Sequence, residues 1–239
     1  MDIIQPNEHN DWLNQRNKLF ENFIPIGDKD NKSNKATFFE SIYANGLKTN
    51  CDSWCYNYSK IELEKNIKLY LDTYNKEVNR WKNDKHETSF EEFAIKDPKL
   101  ISWHSGIIPK AKRGDIGTFI PEHCRFSMYR PFQKSNVYYD GLVNQRLSQI
   151  PKIFPTAEHK NLVICANGLG VTNVSAPLIS DMIPDLGMNA ACQCFPLHWY
   201  EEKPEESNKS QMSLFAQAED SNEDKYIKHD GITDFIHNL

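Results

Sequence analysis

The stretch Ser127–Pro155, SMYRPFQKSNVYYDGLVNQRLSQIPKIFP, decides how this chain is read. Pro131 and Pro151 mark turns between short extended runs, which points to a strand-rich segment. The stretch also packs rings (Tyr129, Phe132, Tyr138, Tyr139, Phe154), cations (Arg130, Lys134, Arg146, Lys152) and amides (Gln133, Asn136, Asn144, Gln145) into one short span. Rings stack on bases, cations hold phosphates and amides read base edges. The composition therefore points to a nucleic-acid surface. It fits equally a strand-rich core whose charges face solvent.

Working outward, the charge is uneven. The 239 residues carry a net charge of −5. Residues 101–160 hold nine basic and four acidic groups, a local net of +5, whereas 201–239 hold four basic and ten acidic groups. Positive charge coincides with the aromatic stretch, and the potential at one face matters more to a partner than the sum over the molecule. The hydrophobic fraction of 39% is enough for a real core. No run of 18 apolar residues marks a membrane span, and the start MDIIQPNEHNDW has no secretory pattern. Six cysteines fall short of a disulfide scaffold, so reduced thiols in the cytoplasm are expected.

Upstream of the stretch the pattern is helical. Asp11 to Phe23 reads as a helix, and Asp28 to Lys35 as a polar loop. Ser59-x-x-Glu62 has the form of a capping box. Behind it Ile67, Tyr70/Leu71, Tyr74, Val78 and Trp81 recur at helical spacing through Lys82. A short helix is expected around Phe90 to Ala94, ended by Asp97-Pro98. Beyond Ile101 come short strand-like runs at 117–120, 125–129, 136–139, 161–166 and 188–200, with one possible helix from Leu142 to Ile150. Ser207 to Lys225 is polar and acidic and reads as a surface loop.

Several chemistries are weighed on the same residues. Pro184-Asp185 followed by Glu201-Glu202-Lys203 matches the PD…(D/E)xK pattern, in which two carboxylates hold Mg2+ and a lysine orients water. Cys51 and Cys55, Cys192 and Cys194, with His104, His123 and His198, invite a zinc reading, but the spacings are not those of zinc knuckles. Asn167-Gly168-Leu169-Gly170 is a lone G-x-G, better read as a turn, and there is no nucleotide-binding P-loop. No acidic-Pro-Pro-aromatic or Asn-Pro-Pro-aromatic loop is present, so amino-methyltransferase chemistry is not expected within this chain. Candidate DNA contacts are the basic cluster Lys110, Lys112 and Arg113, then Arg125, Arg130, Lys134, Asn136, Asn144, Gln145, Arg146 and Lys152, and the uncharged Asn167 and Asn173.

The same stretch resembles a known family. Tyr129-Arg130-Pro131-Phe132, Val137-Tyr138-Tyr139-Asp140, Asn144 and Ile153-Phe154-Pro155 look like the opening of the C-terminal specificity domain of type ISP restriction–modification enzymes. Pro184-Asp185-Leu186, Gln193-Cys194-Phe195-Pro196-Leu197 and Asp230-Gly231-Ile232-Thr233-Asp234-Phe235 continue the pattern. Asn45-Gly46-Leu47-Lys48-Thr49-Asn50, Asp52-x-Trp54-x-Tyr56-Asn57-x-Ser59-Lys60 and Tyr74-Asn75-x-Glu77-Val78 look like the segment that joins this family's methyltransferase core to its specificity domain. The resemblance runs in order from about Phe23 to Phe235.

It implies an α+β chain. A helical connector over 1–100 would lead into a mixed, β-rich target-recognition domain with peripheral helices over 101–239, shortened at its C-terminus. The implied function is recognition of a short double-stranded DNA site, positioning a linked adenine-N6 methyltransferase. S-adenosylmethionine, ATP and Mg2+ would be held by the methyltransferase and helicase domains of the same enzyme, with no cofactor, no metal and no catalytic residue in this chain. A Mg2+-dependent nuclease and a protein-interaction scaffold are the competing classes.

Overall fold

In a computed structural model the chain is described for residues 43–85, 87–167, 177–203 and 225–237, and for residues 5, 19, 22–27 and 36–39 before them. The helix expected at Asp11–Phe23 and the loops at Asp28–Lys35 and Ser207–Lys225 lie almost entirely outside these residues. Among the described residues no helix is long and apolar enough to cross a membrane.

The chain divides into two compact units. One comprises Met1–Ser41 with Ile232–Leu239, the other Ile42–Gly231. In the first, Phe39 bridges antiparallel to Ile232, and the Thr233 hydroxyl donates to the Thr37 carbonyl at 2.6 Å. A short helix, Asp234–His237, follows.

In the larger unit β1 (Ala44–Asn45), α1 (Asp52–Cys55) and β2 (Tyr56–Asn57) precede the long helix α2 (Lys60–Lys82). The apolar stripe predicts this helix, and it buries Leu63, Ile67, Tyr70, Leu71, Tyr74 and Val78. Lys65 pairs with Glu62 and Lys76 with Asp72 on its exposed side. Ser59 caps it by accepting the Glu62 N–H at 3.3 Å, while the Glu62 carboxylate takes the Lys65 ammonium at 2.7 Å.

The complete capping box is at the next helix, α3 (Phe90–Phe93). Ser89 accepts from the Glu92 N–H, and the Glu92 carboxylate accepts from the Ser89 N–H. It seats Phe90, which is buried edge-on against Trp81 and Trp103. Ser89→Ala is expected to cost about 1 kcal/mol, checked by urea unfolding with an unchanged slope.

Next come α4 (Ile108–Arg113), β3 (Cys124–Arg130), β4 (Gln133–Tyr138) and the short helix α5 (Ile150–Ile153). The strands β5 (Val163–Asn167), β6 (Leu178–Ser180), β7 (Ile183–Pro184), β8 (Cys192–Pro196), β9 (His198–Glu202) and β10 (Tyr226–Asp230) complete the unit.

One four-stranded sheet has the order β2-β4-β3-β7, the other β1-β8-β5-β6, and β9 pairs with β10. All pairings are antiparallel except β3 with β7. The architecture is the mixed α+β class expected.

Its N-terminal third is less purely helical than expected. Residues 44–45 and 56–57 supply an edge strand to each four-stranded sheet, so 43–100 packs within the same compact unit as 101–231. Two-residue strands have no alternation to read, which hides them from the sequence.

Two other local expectations also change. Residues 117–120 form no strand. Residues 142–149 form no helix, because the Asp140 carboxylate captures the Leu142 and Val143 N–H groups, at 2.7 and 3.1 Å, and holds a turn instead.

Candidate nucleic-acid interface

The β3–β4 hairpin gives the site its frame. Its register runs from Cys124 opposite Tyr138 to Arg130 opposite Gln133, with an irregularity between Met128 and Arg130. Phe132 takes a positive φ of 60° at the tip. Along β3 the side chains alternate, so Ser127 is buried while Phe126 stands 54% exposed. The Lys134 ammonium on β4 lies 3.8 Å from the centre of the Phe126 ring. A cation held against an exposed ring offers one stacking face and one phosphate ligand together.

Two adjoining clefts, the first lined by this pair, share Cys124, Arg125 and Ala157 as walls. The first, of about 280 Å3, places Phe126, Lys134, His159 and Lys160 around its mouth, with Asp181 the acidic member. The second, of about 490 Å3, is lined by Lys60, His123, Tyr139, Asp140 and Glu158 among others. Arg125 is the partition. It donates to the Thr156 carbonyl at 2.5 Å and lies 5.9 Å from the Tyr139 ring centre. Burial lowers its affinity for a proton, and Tyr139 and Glu158 oppose that shift.

Asp140 fixes the wall of the second cleft. It accepts from His123 Nδ1 at 2.9 Å as well as from the Leu142 and Val143 N–H groups. Burial pushes its carboxyl up, but the His123 hydrogen bond and the two backbone N–H groups outweigh this and hold it below its ordinary value. A carboxylate held low in the folded state stabilises above its unfolded pKa, and that contribution is lost as pH falls through the folded value. Stability is therefore expected to drop on acidification below about pH 4. Asp140→Ala should remove about 2 kcal/mol at neutral pH and flatten the acid limb, measured by denaturant unfolding from pH 7 to pH 3.

The candidate residues fall into two groups. Lys134, Arg146 and Lys152 are exposed, and Arg125 lines both clefts. The other described candidates are held by partners in the chain, Lys112 and Arg113 while still exposed. Lys110 donates to the Gly141 and Leu142 carbonyls, and burial lowers its pKa. Lys112 pairs with Glu91 at 2.9 Å and Arg113 with Asp115 at 2.7 Å. Arg130 binds Asp185 at 2.8 Å and packs on the Tyr129 ring.

The amides are engaged too. Asn136 donates to the Asn57 and Tyr58 carbonyls. Asn144 is 1% exposed, accepts the Asp140 N–H and donates to the Cys55 sulfur, so it is a core residue with no edge free for a base. Gln145 donates to the Ser105 hydroxyl. Asn167 ends β5 opposite Cys192, and Asn173 lies outside the described residues.

Lys60, Phe126, His159 and Lys160 are not among the candidates read from the sequence. Phe126 is legible only as the outward position of an alternating strand. The other three share no pattern, since the fold alone brings residues 60 and 159–160 beside 125.

Among the described residues the nuclease pattern and the His104 zinc reading find no assembled site. The Asp185 oxygens accept from Arg130, the Gly187 N–H and the Tyr56 hydroxyl, while Glu201 pairs with His229 and Glu202 with Lys225 on the β9–β10 ladder. Asp185 is thus committed to the fold, while Glu201 stands exposed on β9. His104 uses both ring nitrogens, on the Val143 carbonyl and the Gly106 N–H.

A twisted mixed sheet carrying a ring-and-cation cleft is the kind of surface that grips a polyanion. The family match defines the class: the chain belongs to the Type ISP C-terminal specificity domain family, whose model matches residues 37–239. Among solved structures it is similar to a nuclease-deletion mutant of the Type ISP restriction–modification enzyme LlaGI, in complex with a DNA substrate mimic. There the identity is 30% and the TM-score 0.74, over 82% of this chain and 16% of that one. It is also similar to the ATP-dependent Type ISP enzyme LlaBIII bound to DNA, with 28% identity and a TM-score of 0.75 over 98% of this chain and 14% of that one. A DrdV–DNA complex matches at 26% identity and a TM-score of 0.71, over 84% of this chain and 20% of that one. The chain thus spans about a fifth or less of the length of these proteins. No match was found among curated protein sequences.

Proposed function

We propose that this chain recognises a short double-stranded DNA site on behalf of a type ISP restriction–modification enzyme. In that role it positions an adenine-N6 methyltransferase, and gates a helicase and nuclease, carried on other domains. Membership of the specificity-domain family over residues 37–239 carries this reading. The cleft at Arg125 lined by Lys134 and Lys160 supplies a surface chemically suited to it. S-adenosylmethionine, ATP and Mg2+ belong in this proposal to the other domains. The sequence has neither the acidic-Pro-Pro-aromatic or Asn-Pro-Pro-aromatic loop nor a phosphate-binding Gly-rich loop to hold them.

A mobility-shift titration of the purified chain with random duplex at two salt concentrations tests the proposal. A retarded complex whose affinity falls steeply with salt is expected. Absence of any complex at low salt, with a protein partner captured instead, would move the reading to an interaction scaffold.

A further inference from the structure

Three cysteines from two neighbouring strands converge in the core of the larger unit. Cys192 and Cys194 are two apart on β8 and so share one face, and Cys165 on β5 is the cross-strand partner of Cys194. All three are fully buried. The Cys192 and Cys194 sulfurs are 3.8 Å apart, and all three sulfurs lie within 4.8 Å of one another. Two thiolates on one tetrahedral ion with bonds of about 2.3 Å sit about 3.8 Å apart, so the pair already has that spacing. Among the described residues this is the only cluster of three or more His, Cys, Asp or Glu side chains within reach of a common ion.

We propose that Cys165, Cys192 and Cys194 bind one divalent thiophilic cation of the zinc type, tying β5 to β8. Three sulfur ligands select a soft ion over Mg2+ or Ca2+, which require oxygen. Charge then selects a divalent over a monovalent ion. Three thiolates leave a net charge of −1 around the first and −2 around the second, and an enclosed site penalises the larger charge. Binding releases the thiol protons to solvent. The fourth position falls to water or a small ligand. The site holds the end of β5, where Asn167 pairs with Cys192, and is independent of the DNA reading.

The test is elemental analysis of the full chain purified from zinc-supplemented growth, beside Cys165→Ala and a Cys51→Ala/Cys55→Ala double variant. One zinc per chain is expected in the parent and the double variant, and none above background in Cys165→Ala. A zinc-free parent overturns the proposal, as does zinc that survives Cys165→Ala but vanishes with Cys51 and Cys55. Cadmium-supplemented growth supplies a readout that does not need the variants to fold. Sulfur-to-cadmium charge-transfer absorption with the intensity of three thiolates supports the site. Intensity for two thiolates, or no such absorption, overturns it.

Discussion

Asp185→Ala is expected to lower the unfolding free energy by about 3 kcal/mol, with a fall in melting temperature of about 6–12 °C. The side chain is 7% exposed and serves three partners: Arg130 at 2.8 Å, the Tyr56 hydroxyl at 3.0 Å and the Gly187 N–H at 2.8 Å. Its backbone adds more. The Asp185 N–H donates to the Met128 carbonyl, and Leu47 bridges parallel to Asp185. Removing the carboxylate takes the acceptor from the Gly187 N–H, leaves the Tyr56 hydroxyl only its 3.3 Å contact with Ser127, and leaves Arg130 the Tyr129 carbonyl in place of its ion pair.

Asp185→Asn should cost less than half as much. It keeps an acceptor and adds no volume. Burial also pushes the Asp185 carboxyl upward against the pull of Gly187, Tyr56 and Arg130. Thermal and urea unfolding of the two variants separates the contributions. A loss in Asp185→Ala below about 1 kcal/mol would show that the contacts at this junction are not what holds it.

The second large effect concerns DNA. Lys134→Glu with Lys160→Glu is expected to weaken binding to random duplex about 10- to 100-fold and to lower the slope of log affinity against log salt by about two. Both side chains are exposed at the rim of the cleft around Phe126, so reversal costs little stability. Lys112→Glu is the contrasting control. Its ammonium is already paired with Glu91, and the expected change in affinity is less than about threefold. If the control weakened binding more than the rim pair did, the DNA-facing surface would lie on α4 instead.

How much of this was legible depends on the range of each interaction. The long helix α2 follows from its own repeat, because a stripe at helical spacing is a local property. The β3–β4 hairpin follows from the runs on either side of Pro131 and Phe132. Asn144 shows where composition misleads. An amide between ring and cation reads as a base reader, yet its neighbours across the fold are the Asp140 N–H and the Cys55 sulfur. Lys110 shows the same with charge, since the carbonyls that hold it lie some thirty residues away. Cys165 was invisible as a partner of Cys192 and Cys194 because only the β5–β8 register brings it alongside. The resemblance to the specificity domain succeeded where single motifs did not, because order along a chain survives when local spacing carries little information.

The pairing of Ala44–Asn45 with β8 and of Tyr56–Asn57 with β4 bears on how such modules can be exchanged. A graft spliced at residue 100 would strip both sheets of an edge and leave β8 and β4 as open templates for aggregation. A cut ahead of Thr37 keeps both edges and the Phe39–Ile232 bridge as well, and hybrids cut there are expected to be the ones that stay in solution.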